Sequence, residues 1–324
     1  ALITGNTVVV KPSRQGALMA IEFYKVMEEA GLPPGALHVL TGDSKAGDYL
    51  AHHPDVDGLT FTGSYPVGMH LYRTVNESRP KPVICEMGGK NPVVVTKTAD
   101  LDKAAIGVVR SAFGLSGQKC SAASRVYVER AVYDDFVAKL VEKTENLSVG
   151  NPLRREVYMG PVIDQSVVDK FRRAVAEAES SGGKILAGGE VITGEELDQG
   201  NFVQPTVATA PFDSWIWKEE LFMPFLAVAP VESLEEGLQR SNDTEFGLTA
   251  GLFATDEAEI ERWFQGIQAG VTYVNREAGA TTGAWPDIQS FGGWKGSGTS
   301  GTGGGGPWYL RQYLREQSRT QIKA

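Results

Sequence analysis

The chain predicts an α/β protein built on parallel sheet, with more than one core. Short β-branched runs alternate with longer segments of helical spacing, the pattern of βαβ units. Gly-Ser and Gly-Gly turns stand directly after several of the runs, where open α/β sheets place their ligands. At 324 residues, 42% hydrophobic and 22% charged, the composition is ordinary for a globular chain long enough for two domains.

Taken in order, residues 7–11 (Thr-Val-Val-Val-Lys) read as a first strand, and Ser13 is placed to cap a helix over 14–30. Gly31-Leu-Pro-Pro-Gly35 ends that helix. Strands at 36–40 and 58–62 follow, separated by a short helix through His52. Gly63-Ser64 then opens a helix to about Val75. An apolar run at 82–86 ends in Glu86. Beyond it the spacing predicts strands at 92–96, 125–129, 184–187, 202–208, 225–230 and 270–275, and helices at 101–113, 132–146 and 167–181. Gly182-Gly183 stops the last helix. The stretch 277–307 is rich in Gly and Thr. A loop that long in a compact domain is more often functional than idle.

Net charge is −9 with no Lys/Arg block, which argues against a nucleic-acid footprint. No run approaches the ~18 apolar residues of a membrane span, and no signal peptide is visible. Cys85 and Cys120 are too few for a disulfide framework, so a reducing, cytoplasmic compartment is expected. No metal-ligand cluster is expected.

The chemistry centres on Cys120, in Phe113-Gly-Leu-Ser-Gly-Gln-Lys-Cys-Ser-Ala-Ala-Ser-Arg125. The thiol follows a Gly-rich turn and precedes small residues, whereas a packing cysteine more often sits among Val, Ile and Leu. A lone cysteine is equally consistent with a nucleophile or a structural thiol until partners are found. Upstream, Pro82-Val-Ile-Cys-Glu-Met-Gly-Gly-Lys90 ends an apolar strand in Glu86. That acid reads either as a solvated strand end or as a general base, since a buried carboxylate is costly without a partner or a task.

Glu-Met-Gly-Gly-Lys followed by Gly-Gln-Lys-Cys-Ser resembles, in order and spacing, the two signatures of the aldehyde dehydrogenase superfamily. The resemblance implies a partial Rossmann-type domain over 1–85, an α/β catalytic domain over 86–302 and an oligomerisation arm over 303–324. It implies Cys120 as nucleophile and Glu86 as base, with NAD as cofactor and a small-molecule aldehyde as substrate. Lys11 and Ser13 would lie near the adenosine ribose, and Gly63 and Ser64 at the pyrophosphate, where a helix N-terminus suits phosphate. Arg14 stands where NAD-preferring members often carry Glu, so NADP is expected to be accepted too. Glu219-Glu-Leu-Phe-Met-Pro224 resembles the family's Glu-x-Phe-Gly-Pro. On that basis Glu220 would hold the nicotinamide ribose and Phe222 would pack by the ring. Met223 replaces the usual Gly and reduces backbone freedom.

The later segments resemble the 1-pyrroline-5-carboxylate dehydrogenases, which oxidise glutamate γ-semialdehyde. On that basis Ser121, Gly283 and Ala284 would bind the substrate α-carboxylate, and Phe291 would wall its aliphatic part. Trp308 onward resembles the strand-bearing arm that such enzymes lend to a partner, so a homo-oligomer is expected. The resemblance also implies that roughly the first third of a full member lies outside this sequence, together with an Asn that donates to the oxyanion. Two alternatives stand beside this reading: an aldehyde dehydrogenase for another small aldehyde, and a catalytically silent nucleotide-binding or interaction chain.

Overall fold

The computed structural model describes residues 1–277 and 288–323. Residues up to Glu86 form β1 (Val8–Val10), α1 (Ala17–Glu29), β2 (Leu37–Val39), α2 (Ser44–His52), β3 (Leu59–Thr62), α3 (Tyr65–Thr74) and β4 (Val83–Glu86). The strands pair in parallel as two separate couples, β1 with β2 and β3 with β4. A small cluster of Ala51, Leu71, Val75, Val83, Cys85 and Met87 packs α2 and α3 on the second couple. Helix α1 buries none of its residues, and Leu18, Met19, Phe23 and Val26 are exposed along it.

The rest comprises β5 (Asn91–Val95), α4 (Leu101–Phe113), β6 (Ala123–Glu129), α5 (Tyr133–Glu145), α6 (Gln165–Ser180), β7 (Lys184–Ala187), β8 (Val191–Ile192), β9 (Phe202–Val203) and β10 (Thr206–Thr209). These are followed by β11 (Phe225–Val231), α7 (Leu234–Asn242), β12 (Phe246–Gly247), β13 (Thr249–Phe253), α8 (Glu257–Gly266), β14 (Val271–Val274) and β15 (Trp294–Lys295). Seven of these strands form one sheet in the order β14-β13-β5-β6-β11-β10-β7, parallel except for β7. Every residue of β5 and β13 is buried, as in parallel sheets covered on both faces. Successive side chains alternate between those faces. Val93, Val95, Val126 and Val128 pack under α4 and α5 with Phe136 and Leu140. Val94 and Tyr127 face α6, α7 and α8 with Phe171, Leu238 and Trp263. Gly107 lets α4 sit close on the sheet, because a Cβ there would stand 2.5 Å from the Phe253 ring.

Two expectations are corrected. The first helix begins at Ala17, not Arg14. Ser13 instead closes a turn before it, accepting the Gly16 N–H at 3.1 Å. The strand expected over 202–208 is two strands, β9 pairing β8 and β10 pairing β11 and β7. Pro205 stands between them and brings no N–H to a ladder. Near the end of the chain, Tyr309–Tyr313 is a 3₁₀ turn and the residues beyond it are largely exposed. Asn6 donates to the Tyr313 carbonyl at 3.0 Å, and Arg315 lies 3.7 Å from Asp57.

Candidate active site

Strand β4 ends at Glu86 and β5 begins at Asn91, so Met87-Gly88-Gly89-Lys90 is all that joins the two sheets. Glu86 stands at the carboxyl end of its strand, beside the end of β3, with Thr62 as its register partner. Its carboxyl is pushed up to about 7 by burial, and Oε2 has no hydrogen-bond partner among the described residues. A carboxylate in that condition changes charge near neutrality and suits a general base.

Cys120 lies at the other polarity of the sheet, just before the amino end of β6. The loop that delivers it is held in an uncommon shape. Leu115, Ser116 and Gly117 are successive left-handed residues, at φ 53°, 57° and 64°. At Gly117 only glycine fits, since a Cβ would stand 2.4 Å from the Met223 carbonyl and the φ is costly for any side chain. Ser116 Oγ donates to the Gly160 carbonyl at 2.9 Å, and Gln118 Oε1 accepts the Ile163 N–H at 2.9 Å. The thiol is free and partly exposed. Burial raises its pKa first, and the Glu220 and Glu86 carboxylates raise it further. The backbone N–H groups of Ser121 and of Cys120 itself act the other way.

Glu220 is drawn into the same centre. Its Oε1 accepts the Gly89 N–H at 3.0 Å. A Cβ on Gly88 would collide with its carboxylate at 2.2 Å, so glycine is required there for close approach. Burial raises the Glu220 carboxyl, against the Gly89 N–H, Lys170 and Lys90. Lys170 Nζ donates to the Glu220 carbonyl at 2.5 Å. Phe222, at φ 55°, is exposed beside it. Met223 does not carry the strain its position suggested: the left-handed residue is Phe222, and the Met223 side chain is buried in the core cluster under β11.

The residues expected at the nucleotide lie at the ends of β1 and β3. Gly63 donates to the Glu86 carbonyl at 3.1 Å, so this turn and the base share a strand end. A Cβ on Gly63 would stand 2.5 Å from the Phe61 ring. Ser64 is the N-cap of α3 but makes no side-chain cap bond, and the first turn holds no acid. Free N–H groups and the positive end of the helix dipole there fit a phosphate. Lys11 Nζ donates to the carbonyls of Pro12 and Gly42 at 2.8 and 3.4 Å. Ser13 and Arg14 are exposed. These groups fit a dinucleotide whose pyrophosphate lies over α3.

Of the expected substrate residues, Ser121 is buried directly beyond Cys120, its carbonyl accepting from Thr249 Oγ1 at 3.2 Å. Phe291 exchanges backbone hydrogen bonds with Gly304 at 2.7 and 2.6 Å, on a loop where a Cβ added to Gly292 would stand 3.4 Å from Glu86 Oε1. Gly283 and Ala284 lie outside the described residues. Sequence reading missed Lys90, wholly buried with no hydrogen-bond partner for Nζ among the described residues and its pKa driven well down, first by burial and then by Arg125 and Lys170. It also missed Asn91, whose signal was a polar residue opening an otherwise apolar buried strand.

Residues 1–318 match the aldehyde dehydrogenase family. The chain belongs to that family, as its two motifs predicted. It is 42% identical, over its whole length, to a 1-pyrroline-5-carboxylate dehydrogenase of Bacillus subtilis, and spans 62% of that relative. The 1-pyrroline-5-carboxylate dehydrogenase from Thermus with bound NAD superposes with a TM-score of 0.89 at 36% identity, over 96% of this chain and 60% of that one. A 3,6-anhydro-L-galactose dehydrogenase in complex with NAP gives 0.92 at 34% identity, over 97% of this chain and 65% of that one.

Proposed function

We propose that the chain carries the catalytic centre of an NAD(P)-dependent aldehyde dehydrogenase that oxidises L-glutamate γ-semialdehyde, the open form of 1-pyrroline-5-carboxylate, to L-glutamate. The observation that carries the reading is the convergence on one four-residue link of a loop thiol, Cys120, and a buried carboxyl, Glu86, poised near neutrality. The names of the relatives, 1-pyrroline-5-carboxylate dehydrogenases, support the substrate, and proline breakdown is the proposed setting of the reaction.

On this reading the Cys120 thiolate adds to the aldehyde carbon, forming a carbon–sulfur bond and a tetrahedral oxyanion. The Cys120 N–H is one donor available to that oxygen. Gly63, Ser64, Lys11, Ser13, Arg14, Glu220 and Phe222 would hold NAD(P), which would supply the hydride acceptor. Cys120 would then carry the acyl group as a thioester. Glu86 then takes a proton from water, whose oxygen attacks the acyl carbon and frees the thiolate and the acid. Ser121, with Gly283 and Ala284, holds the substrate α-carboxylate, and Phe291 packs on its methylenes. The exposed Arg14 leaves room for a 2′-phosphate, so NAD and NADP both serve.

We assign the domain limits to 85/86 and 302/303, the chain to a homo-oligomer through its last residues, and its place to the cytoplasm. Among the described residues no helix is long and apolar enough to cross a membrane, and no cluster of ligands fits a metal.

The test is nucleotide reduction with glutamate γ-semialdehyde beside a Cys120→Ala control. Reduction that vanishes in the control supports the reading. Turnover of other small aldehydes but not of this one would move the chain to a different substrate, an outcome favoured by its likeness to a sugar-aldehyde enzyme. Nucleotide binding with no turnover would make the chain a silent binding module.

A further inference from the structure

The base, the thiol and the nucleotide turn do not account for Asn91. It is almost fully buried, at 3% exposure, and it makes three hydrogen bonds, all directed to the nucleophile loop or its neighbour. Its Nδ2 donates to the Cys120 carbonyl at 2.7 Å and to the Ala122 carbonyl at 2.9 Å. Its Oδ1 accepts the Thr249 N–H at 3.0 Å, which fixes which end of the amide faces the loop. Thr249 Oγ1 takes the carbonyl between, that of Ser121. Three successive carbonyls after the nucleophile are thus held by side chains from β5 and β13. The ladder between β5 and β6 slips at this point, between Asn91 and Pro92. The carboxamide replaces the main-chain bonds that the slip removes.

The peptide unit from Cys120 to Ser121 carries both the carbonyl that Asn91 holds and the Ser121 N–H. In a planar trans peptide those two bonds point in opposite directions. Fixing the oxygen on the Asn91 side therefore turns the Ser121 N–H to the opposite side, and that N–H is one of the two backbone groups that favour the thiolate. We propose that Asn91 is a positioning residue for the nucleophile: its carboxamide sets the plane of the Cys120–Ser121 peptide and so aims the Ser121 N–H at the thiol sulfur. The charged groups facing the sulfur are Glu220, from the loop before β11, and Glu86, from the end of β4. Both carboxylates oppose the thiolate, which leaves backbone donors as the groups that favour it.

The test measures the thiol directly and does not depend on turnover. Iodoacetamide alkylation of Cys120 in the full chain is followed by peptide mass spectrometry from about pH 6 to about pH 10, and the midpoint of the rate profile is compared between variants. Asn91→Ala is expected to move the midpoint up by about one unit, the loss of one N–H bond to a charged acceptor. Gly89→Ala reaches the same bond from outside. Its methyl would stand 2.6 Å from Asn91 Oδ1 and 2.7 Å from the Cys120 carbonyl, and it too is expected to raise the midpoint. Val126→Ala, a core truncation on β6 away from the clamp, is expected to lower stability and leave the midpoint in place. A folded Asn91→Ala or Gly89→Ala chain with the parent's midpoint would overturn the proposal, and so would an equal shift in Val126→Ala. If Asn91→Ala does not fold, Gly89→Ala decides.

Discussion

The two halves of the molecule use the same βα grammar and reach different ends. From β5 onward seven strands share one sheet, with helices closing both faces and β-branched residues fully buried. Before Glu86 the strands stand as two couples, and α1 leaves Leu18, Met19 and Phe23 exposed. Apolar spacing makes a helix in both places. What differs is the burial each helix reaches: α4 buries most of one face in the core, whereas α1 buries none of its residues. Cys120 follows α4, a helix of the first kind, whereas the Gly63–Ser64 turn opens α3, which packs on β3 and β4 in a small cluster of its own.

The sharpest way to break this contrast is to truncate one aromatic in each half. Phe136→Ala, on α5 and fully buried, is expected to cost about 3–5 kcal/mol. Phe23→Ala, on α1 and more than half exposed, is expected to stay within about 0.5 kcal/mol. Urea unfolding of the two variants gives the comparison, and equal losses would show that α1 is packed in solution.

A second effect sits at the seam. The Glu86 carboxyl is raised from 4.5 to about 7 in the folded chain, so between those values the folded state holds a proton that the unfolded state has released. Stability therefore falls as pH rises through that window, because the buried group must ionise. Glu86→Gln is expected to raise the thermal midpoint at pH 8 more than at pH 4.5, as followed by circular dichroism. A pH-independent gain would show that the carboxyl is not desolvated.

The smallest effect separates two caps within the first half. Asp43 accepts N–H bonds from Lys45 and Ala46 at the start of α2, whereas Ser64 accepts none at α3. Asp43→Ala is expected to cost about 1 kcal/mol, and Ser64→Ala less than about half of that. Equal costs would place a cap bond on Ser64 that this structure lacks.

Much of this was legible in the sequence. The alternation of β-branched runs and helical segments yields the parallel sheet, and the strands read at 92–96 and 125–129 stand at its centre. Cys120 and Glu86 were found because each breaks the character of its surroundings, one by small neighbours and the other by a charge after an apolar run. Asn91 and Lys90 escaped because their meaning lies in partners remote in the chain, Thr249 for one and Arg125 and Lys170 for the other. The helix start at Ala17 was misread because Ser13 caps a turn as readily as a helix. The division of 202–208 escaped because the two short runs flanking Pro205 are each apolar, and only their partners differ.

The link from Met87 to Lys90 works as a gauge between two sheets of opposite presentation, one offering its base from carboxyl ends and the other its thiol at amino ends. Gly88 is pressed by Glu220 and Gly89 by Asn91 and the Cys120 carbonyl, so the gauge has no slack to absorb a change in length. A single inserted residue in this link would alter the spacing of Glu86 and Cys120 directly.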